Sequence, residues 1–148
     1  MARLVRWRPP PHSMVKVNFD GAIFPNRNIA SLGIIIHNVY GLVMAALSQQ
    51  IPLPTSVEMV EVLAARWALL FARELGFKSL VVEGDVEIII KAINGGGTML
   101  ISEFGHILYD IHSLVSSFQS VSFRHVRHLG NCVAHRLARR SICNSFLV

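Results

Sequence analysis

The chain has 148 residues, 52% hydrophobic and 16% charged, which supplies one core of domain size and excludes a disordered polyelectrolyte. Its longest uncharged stretch, Asn28 to Val57, is broken centrally by His37, Asn38 and Gly41, and the N-terminal M-A-R-L-V-R-W-R-P-P-P lacks an apolar h-region, so neither a membrane span nor an export signal is expected. The net charge of +5 is segregated: residues 1–19 and 111–148 carry bases and no acid, while residues 20–110 hold all nine acids against five bases. That distribution suits a polyanionic partner, but arginines solvating exposed helix faces would also give it.

In chain order, residues 1–13 read as an extended Pro/Arg-rich leader, because W-R-P-P-P neither starts a helix nor donates to a central strand. Residues 14–148 read as one domain. Val15, Val17 and Phe19 alternate with Lys16 and Asn18, which predicts a strand from Met14 ending at Asp20-Gly21. After a loop with Pro25, Asn26 and Asn28, strands over Ala30–His37 and Leu42–Gln49 flank a turn at Asn38–Gly41. Between Thr55 and Leu75, apolar residues recur every three or four positions, an amphipathic helix capped by Thr55 or Ser56 and stopped by Gly76. A buried strand follows over Lys78–Glu83, then a helix capped by Asp85 and ended by Gly95–Gly97. A third helix is expected over Ser102–Ser117, a fifth strand over Val121–Val126 and a last helix over Asn131–Asn144. The order β-β-β-α-β-α-α-β-α predicts an α/β fold with a five-stranded mixed sheet and helices on both faces. Cys132 and Cys143 lie eleven residues apart on that last helix, about 16 Å of rise and too far for a disulfide. A monomer without disulfides in a reducing intracellular compartment is expected, nucleus and cytoplasm being left open.

Two of the three aspartates, Asp20 and Asp85, stand where a strand is expected to stop, each beside a glycine. Ligands gather at such strand ends in open sheets. Glu58 and Glu61 both lie in the first turns of the long helix, and Glu61 shares its apolar stripe with Ala64, Ala65 and Ala68. Carboxylates converging there would need a divalent cation, with hard oxygen donors favouring Mg2+ or Mn2+. Each residue also has an ordinary structural use: Asp-Gly as a turn, Asp85 as an N-cap, Glu61 near a helix dipole.

W-R-P-P-P, K-V-N-F-D-G-A, E-V-L-A-A-R-W-A-L-L-F-A-R-E-L-G-F, V-V-E-G-D and F-R-H-V-R-H-L-G-N-C-V-A-H-R-L-A-R, in that order, resemble the plant reverse-transcriptase-like ribonuclease H domains, relatives of type 1 ribonuclease H and of retroelement polyproteins. The resemblance runs from Trp7 to about Ser141 and implies the ribonuclease H-like fold. It also implies hydrolysis of the RNA strand of an RNA–DNA hybrid by water, with two Mg2+ or Mn2+ ions at Asp20, Glu61 and Asp85. It selects Glu61 over Glu58. His135 stands where type 1 enzymes carry a fourth aspartate, as is common in the plant family, and imidazole suits Mn2+ better than Mg2+. His128 is the nearest candidate for the proton-shuttling histidine of a loop that is shorter here. Val86 replaces a usual serine, and His37-Asn38 replaces an Arg-Asp pair. Gly95-Gly96-Gly97-Thr98 stands where bacterial relatives have a basic hybrid-gripping segment, which implies weaker substrate affinity; Arg124, Arg127 and Arg136 are the candidate nucleic-acid contacts.

Three further readings stay open on the sequence. His128, Cys132 and His135 have spacings a zinc site could use, although no fourth ligand is evident and a buried cysteine beside helix-surface histidines accounts for them better. Alternatively, the fold persists as a non-catalytic module that binds nucleic acid or a protein partner, or the chain is a retroelement fragment without a selected role.

Overall fold

Alternating apolar residues give the first strand one face for the core and one for polar groups. In the computed structural model, which describes residues 14–95 and 101–140, that strand is β1 (Met14–Phe24). It does not stop at Asp20-Gly21. Antiparallel pairing with β2 (Ile29–His37) continues to Phe24↔Ile29, and the chain reverses over Pro25–Arg27, where Asn28 takes a left-handed conformation (φ 56°). β3 (Val43–Pro52) completes the meander.

The period-three-and-four stripe becomes α1 (Val57–Glu74), with the Ser56 hydroxyl accepting from the Met59 amide at 3.2 Å. β4 (Ser79–Gly84) returns parallel to β1, and β5 (Ser120–His125) lies parallel to β4. Between them run α2 (Glu87–Ile93) and α3 (Ile101–Val115). A short turn, His128–Asn131, leads into α4 (Cys132–Arg140). The sheet order is β3-β2-β1-β4-β5, the mixed arrangement expected from a meander followed by crossovers. α2 is entered through Val86, without a side-chain cap. Asp85 therefore does not cap it, contrary to expectation; its carboxylate is turned to a histidine described below.

Helices cover both faces. Gly21 meets Val60 and Glu61 of α1, while Gly33, registered opposite the neighbouring Asp20, meets the backbone of α4 at Ala134 and Ala138. Successive strand residues face opposite sides, so α1 and α4 sandwich the sheet. The main core lies under α1, with Val17, Phe19, Leu32, Ile34, Leu69, Leu80 and Ile111 fully buried. The leader, Gly96-Gly97-Thr98 and Cys143 lie outside the described residues; Cys132 is half-buried with a free thiol. Among the described residues, no helix is long and apolar enough to cross a membrane.

Candidate metal-binding site

The site forms where one strand outlasts its neighbour. β4 pairs with β1 only as far as Asn18↔Glu83, while β1 runs on to Phe24. Asp20 sits in the resulting notch on the α4 side, and Asp85 follows the last residue of β4. Glu61 reaches in from α1. Candidate ligand atoms of all three carboxylates lie within 4.8 Å of one another. Asp20 is 4% and Glu61 3% exposed. Glu58, its rival one turn earlier, is exposed.

Gly21 makes this approach possible. A side chain there would come within 2.5 Å of Val60 Cγ1 and 2.9 Å of Glu61 Oε2. The glycine instead lets its own amide donate to Glu61 Oε2 at 3.0 Å. The other oxygen, Oε1, is buried with no hydrogen-bond partner. Buried acceptors are rarely left this way. Burial first, then the charges of Asp20 and Asp85, push the Glu61 carboxyl up to about 9. Asp20 is also raised, chiefly by burial and then by Asp85, against the opposing pull of His135. A buried acidic trio with an orphaned oxygen fits a hard divalent cation: the cation supplies both the missing partner and the missing positive charge.

Two histidines close the site from the α4 side. The His135 Nδ1–H donates to Asp20 Oδ2 at 2.7 Å, and the His128 Nδ1–H to Asp85 Oδ2 at 3.1 Å. A carboxylate can only accept, which sets these roles. The two rings meet edge-on at 4.8 Å between centroids. The alternative zinc grouping of His128, Cys132 and His135 does not form; among the described residues the acidic trio is the one cluster of three metal-ligating side chains. The carboxylates have drawn both Nδ1 atoms to themselves.

Of the candidate nucleic-acid contacts, Arg127 and Arg136 are exposed. Arg124 is exposed too, but donates to Glu83 Oε2 at 3.0 Å. Glu83 belongs to a buried polar group that sequence reading missed, together with Asn18 and Asn131. A polar residue in an apolar strand, as in K-V-N-F-D and V-V-E-G-D, was the available signal. Their partners, 65 and 113 positions apart, were not.

A family model described as reverse transcriptase-like matches residues 18–141. The match says nothing of a plant source. No curated protein matches the chain by sequence. Among solved structures, RNase H1 from the halophilic archaeon Halobacterium salinarum NRC-1 superposes with a TM-score of 0.82 at 24% identity, covering 88% of this chain and 98% of that one. The N-terminal RNase H domain of a Mycobacterium tuberculosis protein gives 0.78 at 20% identity, over 88% and 94% of the two chains. LC11-RNase H1 in complex with RNA/DNA hybrid gives 0.71 at 18% identity, over 88% and 98%. The chain thus has the fold of these type 1 ribonucleases H.

Proposed function

We propose, on the premise that this chain belongs to the reverse transcriptase-like family, that it is a metal-dependent endonuclease hydrolysing the RNA strand of RNA–DNA hybrids. The carrying observation is the convergence of Asp20, Glu61 and Asp85 within 4.8 Å around an orphaned Glu61 oxygen. A ribonuclease of the same fold is seen in complex with RNA/DNA hybrid. Asp20, Glu61 and Asp85 would hold Mg2+ or Mn2+, in a pair, with His135 as a neighbour of softer character than the aspartate usual at that position. When bound, such ions lower the pKa of water and stabilise the leaving oxygen of a phosphodiester.

The chain's own groups do the rest. Gly21 holds one Glu61 oxygen and so aims the carboxylate into the notch. His135 orients Asp20 in the same way. A neutral imidazole that donates through Nδ1 keeps Nε2 as an acceptor, so His128, exposed and anchored on Asp85, can take a proton from the site and release it to solvent. No nucleophilic side chain is needed, and water attacks the phosphorus. Exposed Arg127 and Arg136 would meet phosphates.

A second reading is favoured by one observation: two imidazoles already hydrogen-bond two of the three carboxylates, and a site whose acids are so engaged serves a binding module. Cleavage of a labelled hybrid decides between them. The nuclease should cut it in Mg2+, faster in Mn2+, and Asp20→Asn or Asp85→Asn should reduce the rate at least a hundredfold, about 2.7 kcal/mol of barrier. A wild-type protein that binds hybrid salt-sensitively yet cuts in neither metal is the binding module.

A further inference from the structure

Asn18 lies on β1, two residues before Asp20, with 4% of its surface exposed. Its side-chain amide is fully committed. Nδ2 donates to Glu83 Oε1 and to Asn131 Oδ1, both at 3.1 Å, and Oδ1 accepts from His37 Nε2 at 3.3 Å. Asn131, 1% exposed, donates in turn from its Nδ2 to the Phe19 carbonyl at 2.8 Å. Phe19 is the residue before Asp20, and Asn131 stands one helical turn before His135.

This chain of bonds has a direction. An asparagine amide can sit either way round, and flipping Asn131 would set its oxygen against the Phe19 carbonyl, two acceptors with no proton between them. With the Asn18 donor on Oδ1, only Nδ2 is left for Phe19. Glu83 holds Asn18 from the other side and is itself held by Arg124 at 3.0 Å and Lys16 at 3.8 Å. The entry of α4 is therefore pinned to the backbone beside Asp20 through an amide that the Phe19 carbonyl and the Asn18 donor orient together. The consequence falls on His135, whose Nδ1 meets Asp20 Oδ2 at 2.7 Å. Sliding a helix by one residue moves it about 1.5 Å, which such a bond does not survive.

We propose that Asn18 is a positioning residue of the metal site: acting through Asn131, it fixes the start of α4 so that His135 engages Asp20. The inference rests on the reading of His135 as part of that site. It accounts for a buried amide in an apolar strand, with every donor and acceptor used and both protons spent on other side chains. An apolar residue of the same size would fill the space but would leave Asn131 Oδ1 and Glu83 Oε1 without this donor.

The test uses the full chain in chelator, labelled with 15N, observing the imidazole nitrogens in a long-range correlation spectrum. Asn18→Leu keeps the volume and removes the donors. The His135 Nδ1 resonance should leave its hydrogen-bonded position while the backbone amide spectrum of the sheet is retained, and Mn2+ affinity measured by titration should fall roughly tenfold. Asn131→Ala should do the same, and the double variant should be no worse than Asn131→Ala alone, because the two act in series. A His135 resonance unmoved in a folded Asn18→Leu protein overturns the proposal, as do additive effects in the double variant. Should Asn18→Leu not fold, Asn18→Ala carries the same expectations. Absence of Mn2+ binding by the wild type would sink the metal reading alone; the His135 resonance would still decide the role of Asn18.

Discussion

Glu61 is held by one hydrogen bond from Gly21, has its second oxygen unpartnered, and faces two other carboxylates. Its pKa is carried from an ordinary 4.5 to about 9 by burial first and by Asp20 and Asp85 after it. A carboxyl raised in the folded state contributes stability that is complete below its unfolded value and is lost as pH rises through the folded one. The metal-free protein should therefore lose thermal stability steadily between about pH 4.5 and 9. Glu61→Gln, neutral throughout, should show a shallower decline, retaining only the slope from Asp20, and should melt higher than the wild type at pH 8 in chelator. Adding Mn2+ at pH 8 should raise the wild-type midpoint and raise that of Glu61→Gln far less. Thermal melts across this range check both points, and parallel pH profiles for the two proteins would remove the argument. At this scale the sequence carried much of the site. The alanines at 64, 65 and 68 marked Glu61 as lying on the packed face, and all three are buried. It could not separate Glu61 from Glu58 by spacing, since both lie in the first turns of α1. What hid Asn18, Glu83 and Asn131 was distance along the chain: each is one polar residue in an apolar context, with meaning only once β1, β4 and the entry of α4 are side by side.

α4 owes its place to small residues on the sheet. Gly33 lets the helix backbone rest on β2, and the Ser31 and Ser48 hydroxyls donate to the carbonyls of Ala138 and Leu137 near its end. A methyl at Gly33 would collide with backbone atoms of Ala134 and Ala138, which cannot rotate away. Gly33→Ala should thus destabilise the protein by about 1–3 kcal/mol, the usual range for overpacking, and weaken Mn2+ binding as His135 is lifted from Asp20. At Gly105 in α3, a methyl would meet nothing within 4 Å, so Gly105→Ala should stabilise by about 0.5–1 kcal/mol. Denaturant melts of the two variants test this, opposite signs being the expected result. The same element shows where local reading fails. The sequence ends β1 at Asp20-Gly21 because Asp-Gly is a turn pair in isolation. In the fold, Gly21 stays in the strand, paired with Leu32, because α1 demands the space its side chain would fill. Asp85 likewise reads as an N-cap but has a histidine to serve. Elements with a long, clean period, such as α1 and β2, were legible to within two residues at either end, and β4 and β5 to within one; the far ends of β1 and β3, set by pairing with β2, were not.

Across the whole molecule, charge is segregated as well as summed. All nine acids lie between residues 20 and 110, and both flanks are purely basic. The fold turns this into geometry: β5, α4 and the turn between them, which carry the basic C-terminal segment, lie next to the carboxylate notch through His128 of the turn and His135 of α4. A polyanion drawn to these arginines is brought to the carboxylates, which would otherwise repel it. Its binding should therefore weaken with salt, and each lost phosphate contact should lower the slope of log K against log salt by about 0.9, the value for duplex DNA. The arginines are not equivalent. Arg127 and Arg136 are exposed, whereas Arg124 is held at 3.0 Å by a buried Glu83. In an Asp85→Asn background, where hybrid is bound but not cut, Arg127→Ala and Arg136→Ala should each reduce the slope by about one contact. Arg124→Ala should change it less, and should instead disturb Glu83 and the Asn18 amide that Glu83 supports. Hybrid binding measured between about 50 and 200 mM salt, the range over which phosphate contacts are most visible, separates these roles. If Arg124→Ala lowers the slope as much as Arg127→Ala does, then Arg124 leaves Glu83 for a phosphate when hybrid binds, and the polar network beneath the site is remade by its own substrate.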